Sequence, residues 1–219
     1  MSRVCPLIDL GGSREDDKKT LCLPPKRQRN TLISIGSKDA WSFELDAVLH
    51  HGFGRVLSFD CTLPHGTPQK LPDSIRDHVE FYNICIAGSN YKDASGRQFV
   101  DWQTLLQLGG LRRAPPLVKI DAEGYEFEMM RSLLAAPPQM QPEQLIIEVH
   151  AFTMHDPKRF RTAGEVLAYF QAAVFRGSYI LINREHKWHR KWGCTYCAEV
   201  TMLKATNASL VCGAGHLHG

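Results

Sequence analysis

The most constraining feature of this sequence is the stretch at residues 117–130, which reads LVKIDAEGYEFEMM. An apolar run ends in Asp121, a short turn follows with Glu123 and Gly124, and the next residues have the pattern of a helix. A strand, a tight turn and a helix in this order are typical of an open α/β sheet. Because such sheets bind their ligands beyond the carboxyl ends of the strands, we predict that Asp121 and Glu123 lie at a functional site.

The composition is that of an ordinary globular domain. The chain has 219 residues, of which 43% are hydrophobic and 22% charged, enough for one domain with a sizeable core. The net charge of +3 is too small to favour nucleic acid as a partner. No apolar run approaches the ~20 residues that span a bilayer, and the first residues do not resemble a secretory signal. We therefore expect a cytoplasmic protein without a membrane partner, with the secretory pathway as the alternative if the chain is part of a longer product.

Strand-like and helix-like segments alternate from Thr31 onward, which predicts a mostly parallel sheet with helices on both faces. We expect an irregular N-terminal extension at 1–30, one α/β domain at 31–206 and a flexible tail at 207–219. The predicted strands are 32–36, 55–60, 79–87, 117–121, 144–150, 179–183 and 198–203. The predicted helices are 41–49, 99–108, a segment between the fourth strand and Pro137, and 162–175. Ser37 or Asp39 is expected to cap the first helix, and the last two strands to form an antiparallel hairpin.

Two other strand ends indicate a nucleoside site. The first strand ends in Gly36 and Ser37, where a glycine lets the backbone turn sharply and approach a ligand closely. The second strand ends in Asp60, about 20 residues further on, where a carboxylate can accept both hydrogens of a ribose diol. The turn reads GSKDA and lacks the GxGxxG pattern, which argues against NAD or FAD. The alternative is that Gly36 is only a turn residue and Asp60 caps the following loop.

Over nearly its whole length the chain resembles the methyltransferase-like family related to the FkbM methyltransferases. The segments that carry the resemblance are SIGSKDAWSFELDAVLHHG, VLSFDCT, VKIDAEGYEFEMMRSL, LIIEVH and CAEVTML. The positions that match the family pattern are Gly36, Ser37, Glu44, Asp60, Lys119, Asp121, Glu123, Gly124, Glu126, Glu148 and His150. The resemblance implies a class I, S-adenosylmethionine-dependent methyltransferase with a Rossmann-like doubly wound sheet, and FkbM itself points to O-methylation.

The chemistry of S-adenosylmethionine suits these positions. We expect Asp60 to bind the ribose and the Gly36–Ser37 turn to hold the methionine end. The adenine slot is expected at the end of the third strand, at Ile86, Ala87 and Gly88. Glu44 is the candidate to bond the glycine loop or the ligand amine, with a solvated helix carboxylate as the alternative. Because the sulfonium is cationic, carboxylates around it are favourable.

Methyl transfer needs alignment of the nucleophile with the methyl group, and a hydroxyl acceptor also needs a base. The catalytic candidates are Asp121, Glu123 and His150. Asp121 ranks first because it ends the fourth strand beside the cofactor, whereas a lone histidine at a strand end is often structural. The same three residues could ligate Mg²⁺ or Mn²⁺, but we expect no metal. Lys119, on a strand that should be buried, could pair with Glu148 on the neighbouring strand or reach the acceptor, and the pairing is the preferred interpretation.

The cysteines and one histidine–cysteine cluster allow several interpretations. Cys5 and Cys22 could be bridged in an oxidising compartment, whereas Cys61 and Cys85 are expected to be small buried thiols. Zinc-type ligands occur close together at His186, His189, Cys194 and Cys197. A hairpin loop between the last two strands is the simpler interpretation of that segment.

The leading hypothesis is a methyltransferase that acts on a hydroxyl of a small molecule or glycan. The first alternative is a catalytically inactive relative that uses the same cleft for binding or for partner assembly. The second is a metal-dependent hydrolase built on Asp121, Glu123 and His150. The identity of the acceptor and the oligomeric state do not follow from the sequence.

Overall fold

Strands and helices alternate along most of the chain. The computed structural model describes residues 5–12, 18–63, 70–150, 152–153, 156–160, 162–189 and 194–205. The strands are β1 (Leu7–Leu10), β2 (Lys19–Cys22), β3 (Thr31–Ile35), β4 (Arg55–Phe59), β5 (Val79–Tyr82), β6 (Cys85–Ile86), β7 (Tyr91–Lys92), β8 (Gln98–Val100), β9 (Leu117–Asp121), β10 (Gln144–Val149), β11 (Phe152–Thr153), β12 (Asp156–Phe160), β13 (Tyr179–His189) and β14 (Cys194–Lys204). The helices are α1 (Ser42–Leu49), α2 (Trp102–Leu108), α3 (Glu126–Ala135) and α4 (Ala163–Gly177). Within these ranges, no helix combines the length and the apolar character that crossing a membrane requires.

Seven of the strands form the central sheet, in the order β13-β14-β10-β9-β3-β4-β5. From β10 to β5 all neighbours are parallel, whereas β14 runs antiparallel to both β10 and β13. Numbered along the chain, the seven strands have the order 3-2-1-4-5-7-6, read from β5. The prediction of a class I methyltransferase fold, mostly parallel with an antiparallel C-terminal hairpin, is confirmed.

Each face of the sheet is covered by its own apolar cluster. Successive strand residues point to opposite faces, so on β9 Val118 and Ile120 pack with α2, α3 and α4, while Leu117 packs on the other side with α1. That second face also receives Leu10 and Leu21 from the β1–β2 hairpin. The near-continuous apolar strands therefore reflect burial on both faces.

Two predicted elements have other boundaries. The third predicted strand, 79–87, is broken: pairing with β4 ends at Tyr82, and Cys85 and Ile86 belong to a separate small sheet with β7 and β8. Phe99 and Val100, predicted in a helix, lie in β8. The helix begins after Asp101, because the side chain of Asp101 accepts a hydrogen bond from the backbone N–H of Thr104 and caps it.

The start of α1 also differs from the prediction. Trp41 precedes the helix, and no side-chain hydrogen bond caps it. Ser37 and Asp39 lie in the preceding loop, where Asp39 has a positive φ of 59° and accepts a hydrogen bond from the backbone N–H of Lys70. The expected cap is therefore wrong, because the loop continues beyond both candidates before the helix begins.

Residues 7–22, predicted as part of an irregular extension, contain an antiparallel hairpin of β1 and β2. A disulfide joins Cys5 to Cys22. Polar side chains of the sheet hold this hairpin: the amide of Gln144 exchanges two hydrogen bonds with the backbone of Cys22, and Thr201 donates to the carbonyl of Thr20. These polar residues interrupt otherwise apolar strands because they bind the hairpin.

A buried ion cluster fixes the hairpin to the sheet. The ammonium of Lys19 lies 2.9 Å from a carboxylate oxygen of Glu148 and 2.7 Å from one of Glu199. All three side chains are at most 8% exposed. Burial alone would lower the pKa of Lys19, but the charges of Glu148, Asp121 and Glu199 outweigh it and raise that pKa. Lys19 therefore stays charged, and its charge compensates two carboxylates that have left water.

At Gly36, immediately after β3, the backbone approaches the end of β9 very closely. A Cβ atom at this position would lie 1.8 Å from the carbonyl oxygen of Asp121. Gly36 also has a φ of +80°, which side chains disfavour. Only glycine fits here, and its contact brings the carboxyl ends of the two central strands together.

We expect Lys19→Met to destabilise the protein by about 3–5 kcal/mol, because it leaves two buried carboxylates without their cation. The measurement is the free energy of unfolding in urea. Lys18→Met is the matched control, since Lys18 pairs with Asp9 and Glu185 at the surface and should change the stability by less than about 1 kcal/mol. Equal effects of the two substitutions would contradict this assignment.

We expect Gly36→Ala to cost about 2–5 kcal/mol, the sum of about 1–2 kcal/mol of backbone strain and about 1–3 kcal/mol of steric clash. Gly52→Ala separates the two contributions, because Gly52 has a similar φ of +71° but nothing within 4 Å of a Cβ atom. Thermal unfolding of both variants should give a clearly lower Tm for Gly36→Ala. A similar Tm for both would show that the contact with Asp121 relaxes freely.

Candidate functional site

A cavity lies at the carboxyl ends of β3, β4 and β9. Five of the residues predicted from the sequence line it: Gly36, Asp60, Ile86, Asp121 and Glu123. Its other lining residues are Ile35, Phe59, Cys61, Thr62, Ile84, Cys85, Phe99, Ala122 and Tyr125. Carboxylates thus share one small space with apolar and aromatic side chains.

Asp60 is buried and holds two loops in place. One carboxylate oxygen accepts from the backbone N–H of Lys38 at 2.6 Å, and the other accepts from the N–H and the hydroxyl of Thr62. Lys38 and Asp39 both have positive φ, 44° and 59°, so the loop after Gly36 has a strained backbone. A carboxylate can accept about four hydrogen bonds, so the oxygen facing Lys38 retains capacity for a ligand hydroxyl.

A buried imidazole lies among the acidic residues beside the cavity. Nε2 of His150 is 3.5 Å from Glu123, 3.7 Å from Glu148 and 3.8 Å from Asp121, and Nδ1 is 3.5 Å from Glu126. Burial alone would lower the pKa of His150, but the charge and hydrogen bond of Glu126 and the charges of Asp121 and Glu148 raise it to about 10. His150 is therefore an imidazolium at neutral pH.

At Glu123, burial is the largest influence on the pKa, whereas at His150 the neighbouring charges outweigh burial. Burial raises the pKa of its carboxyl, and Asp121 and Glu148 add to this, while His150 and Lys38 oppose it. Its φ of 51° is unusual for a residue with a side chain and belongs to the tight turn between β9 and α3. The Glu123 side chain remains about one-third exposed towards the cavity.

Glu126 links the two strand ends. Its carboxylate is fully buried and accepts hydrogen bonds from the backbone N–H of Gly124 and of His150, at 2.8 and 2.6 Å. The turn after β9 is thereby tied to the end of β10. From the sequence, Glu126 has no predicted role beyond its match to the family pattern. Its position in the first turn of a helix, just after a glycine turn, could have indicated that its carboxylate binds the backbone of that turn.

The aromatic wall was missed in the sequence. Phe99 lines the cavity, lies 5.2 Å from the ring of Tyr125 and stacks on Tyr91 at 4.6 Å, measured between ring centroids. Ile86 contributes to the lining as predicted, but Ala87 does not: its backbone N–H bonds Val100 and its methyl packs beside Cys85 and Phe99. Because the sequence predicts a helix at Phe99, it does not predict that Phe99 lies in a strand beside the cavity.

The other predicted site residues are buried outside the cavity lining. Ser37 accepts a hydrogen bond from Ser58, and Glu44 accepts one from Ser34 beneath the glycine turn. His150 likewise lies behind Asp121 and Glu123. The structure brings Asp121, Glu123 and His150 together, whereas Ser37, Glu44 and Ala87 do not line the cavity.

The predicted pairing of Lys119 with Glu148 is wrong. Lys119 donates to the carbonyl of Gly36 at 2.9 Å and so supports the glycine turn. The strand register explains the difference, because Lys119 lies beside Ile146, and Glu148 lies beside Asp121. Glu148 binds Lys19 of the hairpin instead.

Two other predictions concern metals and thiols. The side chains of His186, His189, Cys194 and Cys197 lie outside the described residues. Asp121, Glu123 and His150 each offer a ligand atom within 4.8 Å of the others and could hold a divalent cation, in competition with the proton on His150.

The prediction of buried thiols at Cys61 and Cys85 is wrong. These two cysteines form a second disulfide, which lines the cavity.

The chemistry of the lining fits S-adenosylmethionine. The Asp60, Asp121 and Glu123 carboxylates suit a ligand with a ribose diol, an ammonium and a sulfonium. The apolar and aromatic residues that share the cavity with them, Ile84, Ile86, Phe99 and Tyr125, suit a flat adenine ring.

Comparisons with known proteins give one family match. Residues 22–176 match the family model described as the methyltransferase FkbM domain. No curated protein sequence matches the chain significantly.

Solved structures were compared as well. Fibrillarin, a pre-rRNA processing protein of Methanococcus jannaschii, is 9% identical with a TM-score of 0.49, and the match covers 93% of this chain and 84% of the fibrillarin chain. The methyltransferase domain of bacterial CtHen1-C is 10% identical with a TM-score of 0.47, covering 81% and 90%. The sequence match extends over well more than half of the chain, so the protein belongs to the FkbM methyltransferase domain family.

Proposed function

We propose that the protein transfers a methyl group from S-adenosylmethionine to a hydroxyl group of a small molecule or glycan. The observation that carries the proposal is the position of Asp60, Asp121 and Glu123 around one cavity opposite an apolar wall. Membership of a methyltransferase family supports the cofactor. The hydroxyl acceptor is supported by the acidic cluster beside the cavity, since an alcohol must lose its proton during transfer.

The cofactor, when bound, supplies an electrophilic methyl group. Asp60 would accept hydrogen bonds from the ribose, while Ile86, Phe99 and Tyr125 would exclude water from the adenine. The carboxylate of Asp121 would stabilise the positive charge of the sulfonium. Much of the rate of such a displacement comes from alignment, which this chain provides through the strained loops after β3 and β9.

Glu123 is the base in this proposal. The raised pKa of the Glu123 carboxyl lies closer to neutral pH, which makes Glu123 a better proton acceptor than an ordinary carboxylate. Its side chain also lines the cavity. His150, as an imidazolium, holds Asp121 and Glu123 in place and lowers their mutual repulsion. It is a positioning residue here, because it already carries its proton at neutral pH.

The first test is titration of the protein with S-adenosylhomocysteine by calorimetry. We expect Asp60→Asn to weaken binding about 10- to 100-fold, the effect of losing a hydrogen bond to a charged group. Asp73→Asn is the control, because Asp73 is 92% exposed, pairs with the exposed Arg76, and does not line the cavity. Thermal unfolding of both variants checks that the loops around Lys38 and Thr62 remain folded. A wild-type protein that is folded yet does not bind would contradict the proposal.

The second test concerns chemistry. In a screen of hydroxyl-bearing sugars, oligosaccharides and phenols, with S-adenosylhomocysteine release as the readout, we expect Glu123→Gln to lower kcat at saturating cofactor by about 10²- to 10⁴-fold. Glu143→Gln, an exposed residue outside the cavity, is the matched control. Equal kcat values for the two variants would remove Glu123 from the mechanism.

The same assays separate the alternatives. Cofactor binding without transfer to any acceptor would favour an inactive binding module. Loss of transfer in EDTA and its recovery with Mn²⁺ would assign Asp121, Glu123 and His150 to a metal ion. Hydrolysis that needs the metal and is indifferent to the cofactor would favour a metal-dependent hydrolase.

A further inference from the structure

The disulfide between Cys61 and Cys85 lies at the point where the two walls of the cavity separate. Pairing between β4 and β5 ends at Phe59 and Tyr82, and one further hydrogen bond runs from the N–H of Asp60 to the carbonyl of Tyr82. Cys61 is the next residue after Asp60. The disulfide thus continues the link between the two segments, with Cα atoms 4.9 Å apart.

Each half of this disulfide adjoins a different part of the proposed cofactor site. Cys61 follows Asp60, the proposed ribose ligand, and Cys85 precedes Ile86 on the apolar wall. Both cysteines line the cavity, and they pack with Phe99 and Tyr125. The bond therefore sets the distance between the carboxylate and the wall that would enclose a nucleoside.

We propose that Cys61 and Cys85 are positioning residues for S-adenosylmethionine, and that cofactor affinity depends on their disulfide. This inference rests on the proposed function. Holding both walls in the bound arrangement lowers the conformational entropy that binding must remove. Reduction by a dithiol breaks the S–S bond: the cysteines gain two electrons and two protons, and the dithiol is oxidised to its own disulfide. The walls then separate more freely and the cofactor binds more weakly.

The same reasoning bears on where the protein works. Within the described residues there are two disulfides, which are typical of oxidising compartments and rare in the cytosol. The cytoplasm expected from the sequence would hold the site in its weakly binding, reduced form. We therefore place the active protein in an oxidising compartment.

The test compares two double variants by calorimetry with S-adenosylhomocysteine. We expect Cys61→Ser/Cys85→Ser to raise the Kd at least tenfold. Cys5→Ser/Cys22→Ser is the matched control: its sequence separation of 17 is close to the 24 of the cavity disulfide, so both losses relax the unfolded chain similarly. The control should lower the Tm without changing the Kd. A Kd for Cys61→Ser/Cys85→Ser within twofold of the wild type would overturn the proposal while leaving the proposed function intact.

A second measurement uses the wild-type chain and does not depend on the variant folding. The thiol–disulfide equilibrium of Cys61 and Cys85 is measured against a dithiothreitol couple, with and without saturating S-adenosylhomocysteine. Because coupling is reciprocal, a tenfold preference for the oxidised form makes the reduction potential about 30 mV more negative when the ligand is bound. An unchanged potential would overturn the inference, whereas a wild-type protein that binds no ligand at all would overturn the proposed function first.

Discussion

The arrangement of the site depends on the contact between Gly36 and Asp121. The carbonyl of Asp121 occupies the space that a side chain on residue 36 would need. Lys119 reinforces this contact by donating to the carbonyl of Gly36 from the same strand as Asp121. With these two strand ends so close, the glycine turn after β3 and the carboxylates of Asp121 and Glu123 line one cavity. A looser contact would separate Asp121 from the glycine turn and divide the site in two.

The charges behind the cavity resolve a conflict between stability and function. Four carboxylates, those of Asp121, Glu123, Glu126 and Glu148, surround His150, and their repulsion would favour unfolding if nothing balanced it. His150 and Lys19 supply the compensating positive charges from two different directions. The protein can therefore keep acidic groups at the edge of an apolar sheet, where they would stabilise the cationic cofactor of the proposed function. Preorganised charges of this kind need no rearrangement when the ligand arrives.

Much of this could be predicted from the sequence because the relevant signals are local. The turn in KIDAEG, the glycine after β3 and the acidic end of β4 each occupy a few adjacent residues, and all of them line the cavity. The contacts that were missed join distant segments. The residues around Lys19 in the sequence do not indicate that it pairs with Glu199. The sequence around Glu148 likewise does not indicate that its partner is Lys19 and not Lys119. The predicted helix at 99–108 was wrong at its start: Phe99 lies in β8, and the helix begins only after the capping side chain of Asp101.

The position of the N-terminal hairpin has a consequence for the order of folding. Thr20 is bonded to Glu199 and Thr201, which lie 179 and 181 positions further along the chain. These contacts cannot form during synthesis until β14 has left the ribosome. Strand β2 therefore stays without them, exposed to solvent, until β14 is available. Non-local contacts of this range slow folding and leave unpaired surface exposed meanwhile. Strands β1 and β2 are therefore made long before β14, the strand that Thr20 and Lys19 contact in the folded protein.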